Sequence, residues 1–300
     1  MAIDVEQAGI IIAPAGPMRS FWNSFQENRG AVTGLWILGF IILLALFAPV
    51  LAPHDPLEQY REFTKLPPVW TENGQWTFVL GTDALGRDML SRLMHGARIS
   101  LFIGVAVMSV SMVFGIALGL ATAWFGGLFD VIIIRIMDLI VSIPSLVLAI
   151  LIMAVLEPSL TNTIIAVTIV YLPRYVRLVR ASALTELAKD YVMAAKVAGV
   201  RPLRLMLRTV FPNCAAPLIV QAALGISDAI LEAAGLGFLG LGAQPPMPEW
   251  GTMLADSREF ISAAPWIMMM PGLAILITVL CINLVGDGLR DALDPKLKRS

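Results

Sequence analysis

The chain has few of the residues from which disulfide frameworks, metal centres and soluble surfaces are built. Its 300 residues include only two cysteines and two histidines, and only 14% of them are charged. Cys214 and Cys281 both lie in apolar sequence, which excludes a disulfide framework and indicates two small buried hydrophobic residues. His54 and His95 have no cysteine or paired carboxylate at ligand spacing. The sequence therefore predicts neither a metal site nor a bound cofactor.

Nucleotide-binding and catalytic motifs are missing as well. The sequence contains no GxxxxGK[ST] phosphate loop and no HExxH motif or nucleophile–base arrangement within its apolar segments. These absences argue against a chain that hydrolyses ATP itself and against an intramembrane enzyme. Apolar sequence dominates instead, since 58% of the residues are hydrophobic and the mean hydropathy is +0.80. This composition predicts an all-α integral membrane protein.

Six apolar segments are candidates for membrane spans. A helix rises about 1.5 Å per residue, so about 20 residues cross a hydrocarbon core about 30 Å thick. The fourth candidate has a short apolar part and runs into Arg174, Arg177 and Arg180, whose spacing of three places them along one helical face. Six spans would put both termini on the same side of the membrane. The six candidates are residues 31–51, 99–129, about 131–156, about 160–174, about 213–236 and 266–285.

The distribution of lysine and arginine indicates which side that is. Fourteen of these residues fall in the amino-terminal segment, the loop after the fourth span and the carboxyl-terminal tail, whereas six fall on the opposite face. The positive-inside rule then makes both termini cytoplasmic. The predicted organisation is a cytoplasmic segment 1–30 with an interfacial elbow helix, a six-span domain 31–290 and a cytoplasmic tail 291–300. Outer loops cover about 52–98 and 237–265, and a cytoplasmic loop covers about 184–212.

The cytoplasmic loop has the pattern of two short amphipathic helices. Apolar residues recur at helical spacing up to Ala198, and Gly199 stands where a left-handed residue ends a helix. Pro202 suits the first turn of a second helix, and we expect Pro212 to end that helix at the membrane. A basic hairpin lying on anionic lipid is one interpretation. The small, uncharged step at Ala194 and Ala195 favours close contact with a partner protein instead.

Two carboxylates lie within the fifth apolar segment. Asp228 and Glu232 are four residues apart, so they share one helical face. Carboxylates at membrane depth are costly unless they are paired or face water. Two interpretations are open: structural pairing, or lining a translocation path where they would attract a cationic amino group. An ion-coupled secondary transporter using Asp228 and Glu232 is a third hypothesis, although no inverted repeat is evident.

Several motifs together resemble a known transporter family. The spacing of Ala194, Ala195, Gly199 and Pro212 resembles the EAA loop of bacterial ATP-binding-cassette (ABC) importer permeases. Three stretches resemble the second membrane subunit of the dipeptide and oligopeptide branch: LGTDALGRDMLSRLMHGARISL at 80–101, GFLGLGAQPPMPEWGTML at 237–254 and NLVGDGLRDALDP at 283–295. The resemblance extends over nearly the whole chain beyond residue 20. Nickel and glutathione systems have similar motifs, so the solute stays open among these.

The resemblance implies an architecture and a set of partners. It implies a type I ABC importer permease in the bacterial inner membrane that moves dipeptides or short oligopeptides from periplasm to cytoplasm by alternating access. A second permease subunit, two cytoplasmic ATP-binding subunits that carry ATP and Mg²⁺, and a periplasmic solute-binding protein would complete the importer. This chain would be its non-catalytic membrane subunit.

The resemblance also assigns roles to particular residues. Those implied to couple the permease to the ATPase are Asp190, Met193, Ala194, Ala195, Gly199 and Pro212. Met193 stands where the family usually has glutamate, which leaves Asp190 as the nearby acid. The residues of the first outer loop have an interpretation of their own: Thr82 and Asp83 are candidate caps of an amphipathic helix whose apolar stripe, beginning at Leu85, rests on the bundle. Its charged residues are expected to be exposed and to contact the binding protein; they are Arg87, Asp88 and Arg92.

Overall fold

The described part of the chain folds entirely into helices and connecting turns. The computed structural model describes residues 17–293, and the parts of the predicted cytoplasmic segment and tail at 1–16 and 294–300 lie outside it. Between residues 17 and 293 there is no β-strand. The α-helices are α1 (Pro17–Glu27), α2 (Arg29–Leu46), α3 (Ala48–Leu51), α4 (Met89–Phe125), α5 (Gly127–Ser142), α6 (Ser145–Val155), α7 (Leu160–Leu187), α8 (Asp190–Val197), α9 (Pro202–Leu205), α10 (Ala215–Phe238), α11 (Trp250–Asp256) and α12 (Trp266–Leu293).

Four of these helices, α2, α4, α10 and α12, are long and apolar enough to cross a membrane. The pair α5 and α6 makes a fifth candidate when the two are taken as one broken span. Large apolar side chains such as Trp36 and Phe40 on α2 are mostly exposed, which is typical of a surface that meets lipid. Helix α7 is not among the four, so the predicted number of six spans stays a prediction.

The predicted third span is not one continuous helix. Helix α5 ends at Ser142 and α6 begins at Ser145, and the two axes differ in direction by 96°. The break falls at Ile143 and Pro144, because a residue before proline disfavours the helical region and proline has no N–H for the helix ladder. Ile143 accordingly has an extended backbone, with φ −96° and ψ 134°. The expectation of a single helix over 131–156 was wrong.

Helix α4 begins earlier than the sequence pattern predicts. It starts at Met89, inside the predicted outer loop 52–98, and Asp88 is its N-cap, with a side chain that accepts a 2.9 Å bond from the Ser91 amide. The expected caps, Thr82 and Asp83, lie ahead of the helix in a turn, so that assignment was wrong. At its other end, α4 stops at a glycine turn, where Gly126 and Gly127 have φ of +58° and +51°.

The core forms where α4 lies along α7, with α10 packed against both of them and α12 packed between α10 and α2. Close approach of α4 and α7 depends on glycine: a Cβ at Gly115 would lie only 2.3 Å from the Cβ of Tyr175. Gly119, one turn on, faces Val179 in the same way. Small residues four apart allow two membrane helices to pack backbone to backbone. This contact fixes α7, which carries Arg174, Arg177, Arg180 and Glu186.

Helix α1 is amphipathic and lies against the ends of α2 and α12. Phe25 is buried together with Ala31 and Ala292, whereas Trp22 stays about half exposed. The Trp22 and Phe25 rings stack with centroids 5.8 Å apart. One face of α1 therefore belongs to the bundle, and its other face is free for an interface.

Candidate functional site

Helix α8 ends in the conformation that its glycine predicts. Gly199 has φ +77°, its amide donates to the Lys196 carbonyl at 3.0 Å, and the Val200 amide donates to the Ala195 carbonyl at 3.2 Å. A left-handed residue with these two bonds satisfies carbonyls that a helix end otherwise leaves free. The expectation of a left-handed Gly199 is confirmed. A Cβ at Gly199 would have no atom of the described chain within 4 Å.

The second helix of the loop starts as expected but does not end as expected. Pro202 is in the first turn of α9, where a missing N–H has no cost. The helical path then continues through a π-turn, Met206–Val210, and a 3₁₀ turn, Phe211–Cys214, into α10. Pro212 lies in the first turn of that 3₁₀ segment, a position where proline is tolerated. The prediction that Pro212 ends the helix was wrong.

The apolar residues of this second segment divide between the core and the surface. Met206 and Val210 are buried, as an apolar face requires. Leu203 and Leu207, which the pattern placed on the same face, are 73% and 48% exposed. An exposed apolar strip next to α8 is the result.

A group of three polar side chains fixes α8 to α7. Glu186 accepts a 2.6 Å bond from the Lys189 ammonium and a second hydrogen bond from the Tyr191 hydroxyl. Burial alone would raise the pKa of Glu186, but these two donors outweigh burial and lower it below its ordinary value of 4.5. The hydrogen bond from the Tyr191 hydroxyl to Glu186 raises the pKa of Tyr191 to about 12. The turn between α7 and α8 is thus held by charge-assisted hydrogen bonds.

Further contacts seat α8 against the end of α4. The Val192 side chain is fully buried, and the Lys196 ammonium lies 5.5 Å from the centroid of the Trp124 ring. A cation placed over an aromatic ring is attracted by the negative face of that ring. Helix α8 therefore contacts both α4 and α7, the two helices with the most extensive mutual packing. A displacement of α8 would be felt by both.

The opposite side of α8 is apolar and exposed. Val197 is 90% exposed and Met193 is 55% exposed, and Ala194 and Ala198 extend the same surface by their spacing of four. Ala195 is half-buried behind them. Exposed apolar patches next to polar residues are typical of protein contact surfaces.

The two residues of α8 for which the family pattern raised a question are both at the surface. Met193 presents a thioether where the family usually has a carboxylate, so this position carries no charge. Asp190 is exposed in the first turn of the helix, where a negative charge interacts favourably with the helix dipole. The structure thus has an acid near this surface, at the start of the helix and not at Met193.

Deeper in the bundle, α7 carries three arginines that each pair with a carboxylate of another helix. Arg174 pairs with α10, whereas Arg177 and Arg180 pair with α5, so the predicted row of arginines is divided between two neighbouring helices. The closest N–O distances are 2.8 Å for Arg174 and Asp228, 2.7 Å for Arg177 and Asp138, and 2.5 Å for Arg180 and Asp130. We call these three pairs the arginine ladder. The Arg180–Asp130 pair is the most buried of the three, and the other two pairs are about half exposed.

Asp228 and Glu232 turn out to have different surroundings. Asp228 forms the 2.8 Å pair with Arg174, and its side chain is 44% exposed. Glu232 lies one turn further along α10, and its Oε1 atom is buried without a hydrogen-bond partner among residues 17–293. Pairing accounts for Asp228, whereas the Glu232 oxygen has no such account. Whether the two carboxylates line a path stays a prediction.

The charged residues predicted at the outer surface are buried. Arg87, Asp88 and Arg92 are only 6%, 1% and 2% exposed, so the expectation of exposed charges that reach a binding protein was wrong. Asp83 explains why: its carboxylate lies 2.6 Å from Arg87 Nε and 3.4 Å from Arg92 Nε. Asp256 on α11 adds a 3.8 Å contact to Arg87. Buried charges need partners of opposite sign, and this cluster supplies them.

The outer cluster therefore joins structural elements instead of presenting charge. Asp88 caps α4 from its buried position, and Arg87 links the turn before α4 to α11. Burial raises the pKa of Asp256, while the nearby Arg87 and Arg92 act in the opposite direction. The exposed residue in this turn is the apolar Leu85, at 47%. Leu85 was expected to belong to an amphipathic helix and instead precedes it.

Several important residues were not identified from the sequence. Asp83, Asp130 and Glu186 each hold two helices or turns together, yet none was singled out for this. The signal was present in the ladder, because three arginines on one face of α7 require carboxylates on neighbouring helices. Asp130 and Asp138 are eight residues apart and so share a face of α5. A search for carboxylates on neighbouring apolar helices could therefore have predicted the partners of these arginines.

These features define a class of protein. The described chain is a bundle of membrane-type helices that carries ion pairs between helices and, at one end, a short helix with an exposed apolar side. Residues 84–299 match the family described as "Binding-protein-dependent transport system inner membrane component", and residues 16–68 match "N-terminal TM domain of oligopeptide transport permease C". The chain belongs to this family of ABC importer permeases, in its dipeptide and oligopeptide branch.

Individual relatives are similar over almost their whole length. The chain is 57% identical to the di/tripeptide transport system permease protein DppC of Pseudomonas aeruginosa, over 95% of this chain and 94% of that one. It is 53% identical to the dipeptide transport system permease protein DppC of Escherichia coli K12, over 95% of each. The fold resembles a chain of the inward-facing MetNI methionine ABC transporter, with a TM-score of 0.57, 20% identity and coverage of 69% of this chain and 98% of that one.

Proposed function

We propose that the chain is the second membrane subunit of an ABC importer that moves dipeptides and short oligopeptides from the periplasm to the cytoplasm. The bundle lies in the bacterial inner membrane with six spans, the third being the bent pair α5–α6 and the fourth being α7. Both termini and α8 are cytoplasmic, because that face keeps an excess of lysine and arginine, eleven against six, even when the three arginines within α7 are left out. Sequence identity of 57% over nearly the whole chain to a di/tripeptide permease supports the substrate class over nickel or glutathione.

The observation that carries this proposal is the two-sided character of α8. One side is fixed to α7 and α4 through Glu186, Val192 and Lys196, and the other side exposes Met193 and Val197. An apolar surface on a firmly held short helix fits a groove on a partner ATPase. Because α8 is tied to the two central helices, closure of the ATPases moves the bundle and alternates access to its path.

The proposed partners are those of the importer family to which the chain belongs. Two cytoplasmic ATP-binding subunits hold ATP and Mg²⁺, and a second permease subunit completes the path. A periplasmic binding protein delivers the peptide to the outer face. This chain binds no cofactor and hydrolyses nothing, and ATP hydrolysis takes place on its partners. Asp228 and Glu232 line the path from the side of α10, which the exposure of the Asp228 side chain supports.

The proposal is tested by uptake into proteoliposomes that contain the four-subunit complex. With peptide-loaded binding protein outside and MgATP inside, we expect accumulation of a labelled dipeptide that persists in the presence of an uncoupler. Omission of the ATPase subunits is expected to abolish it. Unlabelled dipeptide should compete, whereas Ni²⁺ and glutathione should not. Uptake that collapses with the uncoupler and continues without the ATPases would point to an ion-coupled transporter instead.

A further inference from the structure

The outermost pair of the arginine ladder lies near the middle of the bundle. Asp228 is 13 residues from the first residue of α10, or about 20 Å along its axis, and about 15 Å from its end. Arg174 is at a similar position, 14 residues into the 28 residues of α7. Both ends of the pair are therefore at least two helical turns from the ends of their helices. The pair is too deep for either side chain to reach the membrane surface by extension alone.

Despite that depth, the pair is open on one side. The Arg174 and Asp228 side chains are 51% and 44% exposed. A half-exposed ion pair at this depth is costly in contact with hydrocarbon, so it faces a water-filled path or another protein chain. The Tyr171 ring lies 4.8 Å from the Arg174 guanidinium and holds it from the other side. The surface formed by Arg174, Asp228 and Glu232 carries one positive and two negative side chains.

We propose that Arg174 and Asp228 bind the two charged ends of the transported peptide by exchanging partners with it. This inference rests on the proposed function and names the part of the substrate that the path recognises. Without substrate, the arginine and the carboxylate neutralise each other at 2.8 Å. When a peptide enters, its carboxylate takes Arg174 and its ammonium takes Asp228. Each charge exchanges one partner of opposite sign for another, so no charge is left uncompensated at depth.

The surrounding residues suit this exchange. The two charged ends of an extended dipeptide are roughly 7 Å apart, since each residue spans about 3.3–3.6 Å. Glu232 lies about 6 Å from Asp228 along α10, so its carboxyl group gives a peptide ammonium a second acceptor one helical turn away. The Tyr171 ring keeps the guanidinium in place after Asp228 has released it. Recognition of backbone ends is independent of the peptide's side chains, as a general peptide importer requires.

A purely structural pair would give a different result when both charges are removed. If Arg174 and Asp228 only join α7 to α10, Arg174→Gln leaves Asp228 unpaired and harmful, and adding Asp228→Asn repairs the defect. If the pair binds the peptide, the double variant stays defective because both binding groups are gone. The matched control is Arg177→Gln with Asp138→Asn, the adjacent pair of the ladder, with the same neutralisation and about the same exposure.

The experiment measures uptake per ATP hydrolysed in proteoliposomes, with Ala-Ala and with its carboxyl-terminal amide, each saturating the binding protein. We expect the wild type to favour the free acid. The double variant Arg174→Gln with Asp228→Asn should take up Ala-Ala roughly 10-fold or more slowly, because it has lost one or two charge-assisted hydrogen bonds to the peptide. Its preference for the free acid should disappear, while ATP hydrolysis is still stimulated by the loaded binding protein. The control pair should keep the preference.

Three results would overturn the inference. They are recovery of wild-type coupling in the double variant, equal transport of acid and amide by wild type, and equal loss of preference in the control pair. Recovery would show that the Arg174–Asp228 pair is structural, joining α7 to α10 or packing against the second permease subunit. Failure of the proposed function is distinguishable, because wild-type vesicles would then accumulate no dipeptide at all.

Discussion

Replacement of Gly199 by valine is expected to uncouple ATP hydrolysis from uptake. Gly199 holds φ +77°, a conformation that costs an L-residue about 1–2 kcal/mol and a β-branched residue the upper part of that range. The Val200–Ala195 hydrogen bond, 3.2 Å long, closes the end of α8 and depends on this conformation. A cost of about 2 kcal/mol shifts the local equilibrium from capped to uncapped α8 by roughly 30-fold.

The shift matters because α8 has only eight residues. A helix of this length is not stable by itself and depends on its cap and on the contacts of Val192 and Lys196. Loss of the cap displaces the last turn, which contains Val197 and adjoins Gly199. In reconstituted vesicles we expect Gly199→Val to insert normally, to retain ATP hydrolysis and to lose most peptide uptake per ATP.

Two further substitutions separate backbone strain from the presence of a side chain. Asparagine adopts the left-handed region more readily than other L-residues, so Gly199→Asn is expected to stay close to wild type, with Gly199→Ala in between. Within the described chain, a Cβ at Gly199 has no neighbour within 4 Å, so these variants differ mainly in backbone strain. Wild-type coupling by Gly199→Val would refute the role assigned to the cap. A defect of equal size in asparagine and valine variants would place the cause in contact with the ATPase.

Two other predictions concern packing and pH. Gly115→Ala should lower the unfolding temperature in detergent, because its Cβ would lie 2.3 Å from the Tyr175 Cβ. The control Gly39→Ala should leave the unfolding temperature unchanged or raise it, since that position has no neighbour within 4 Å and alanine favours the helix. Equal effects of the two variants would contradict the close α4–α7 contact. Glu186→Gln should cost roughly 1–2 kcal/mol of stability at neutral pH. Because the folded-state pKa of Glu186 is lowered, its contribution is present above about 4.5 and is lost as the pH falls through the folded value, so the two proteins should converge in acid; a difference that is constant with pH would contradict the ionised hydrogen-bond group.

The sequence predicted local features wherever a single residue type determines the backbone. Gly199 and Pro202 were correctly assigned, because φ above zero and a missing N–H leave few alternatives. Pro144 carried the same kind of signal, and overlooking it led to one predicted helix where there are two. Hydropathy alone does not register such a break, since both halves are equally apolar.

The partners of charged residues were predicted less well, because they depend on which helices become neighbours. Arg87 and Arg92 were expected at the surface on the basis of their charge, yet Asp83 and Asp256 come from elements before and far after them. Asp228 was assigned to one face of α10 correctly, but its pairing with Arg174 depends on the packing of α7 against α10. A sequence pattern predicts which residues share a face of one helix, but it does not predict which other helix packs against that face.

The proline inside α7 determines how motion of α8 would be transmitted. Pro173, the residue before Arg174, has no N–H, so the carbonyl of Ile169 has no backbone hydrogen bond within the helix. The segment from Arg174 to Leu187 is about 20 Å long and carries all three arginines with it. A rotation of 5° at the proline would displace its α8 end by about 2 Å. Helix α7 thus consists of two halves of about equal length that meet beside Arg174, and the second half joins α8, so a bend at Pro173 would couple motion of α8 to the ion pair in the middle of the bundle.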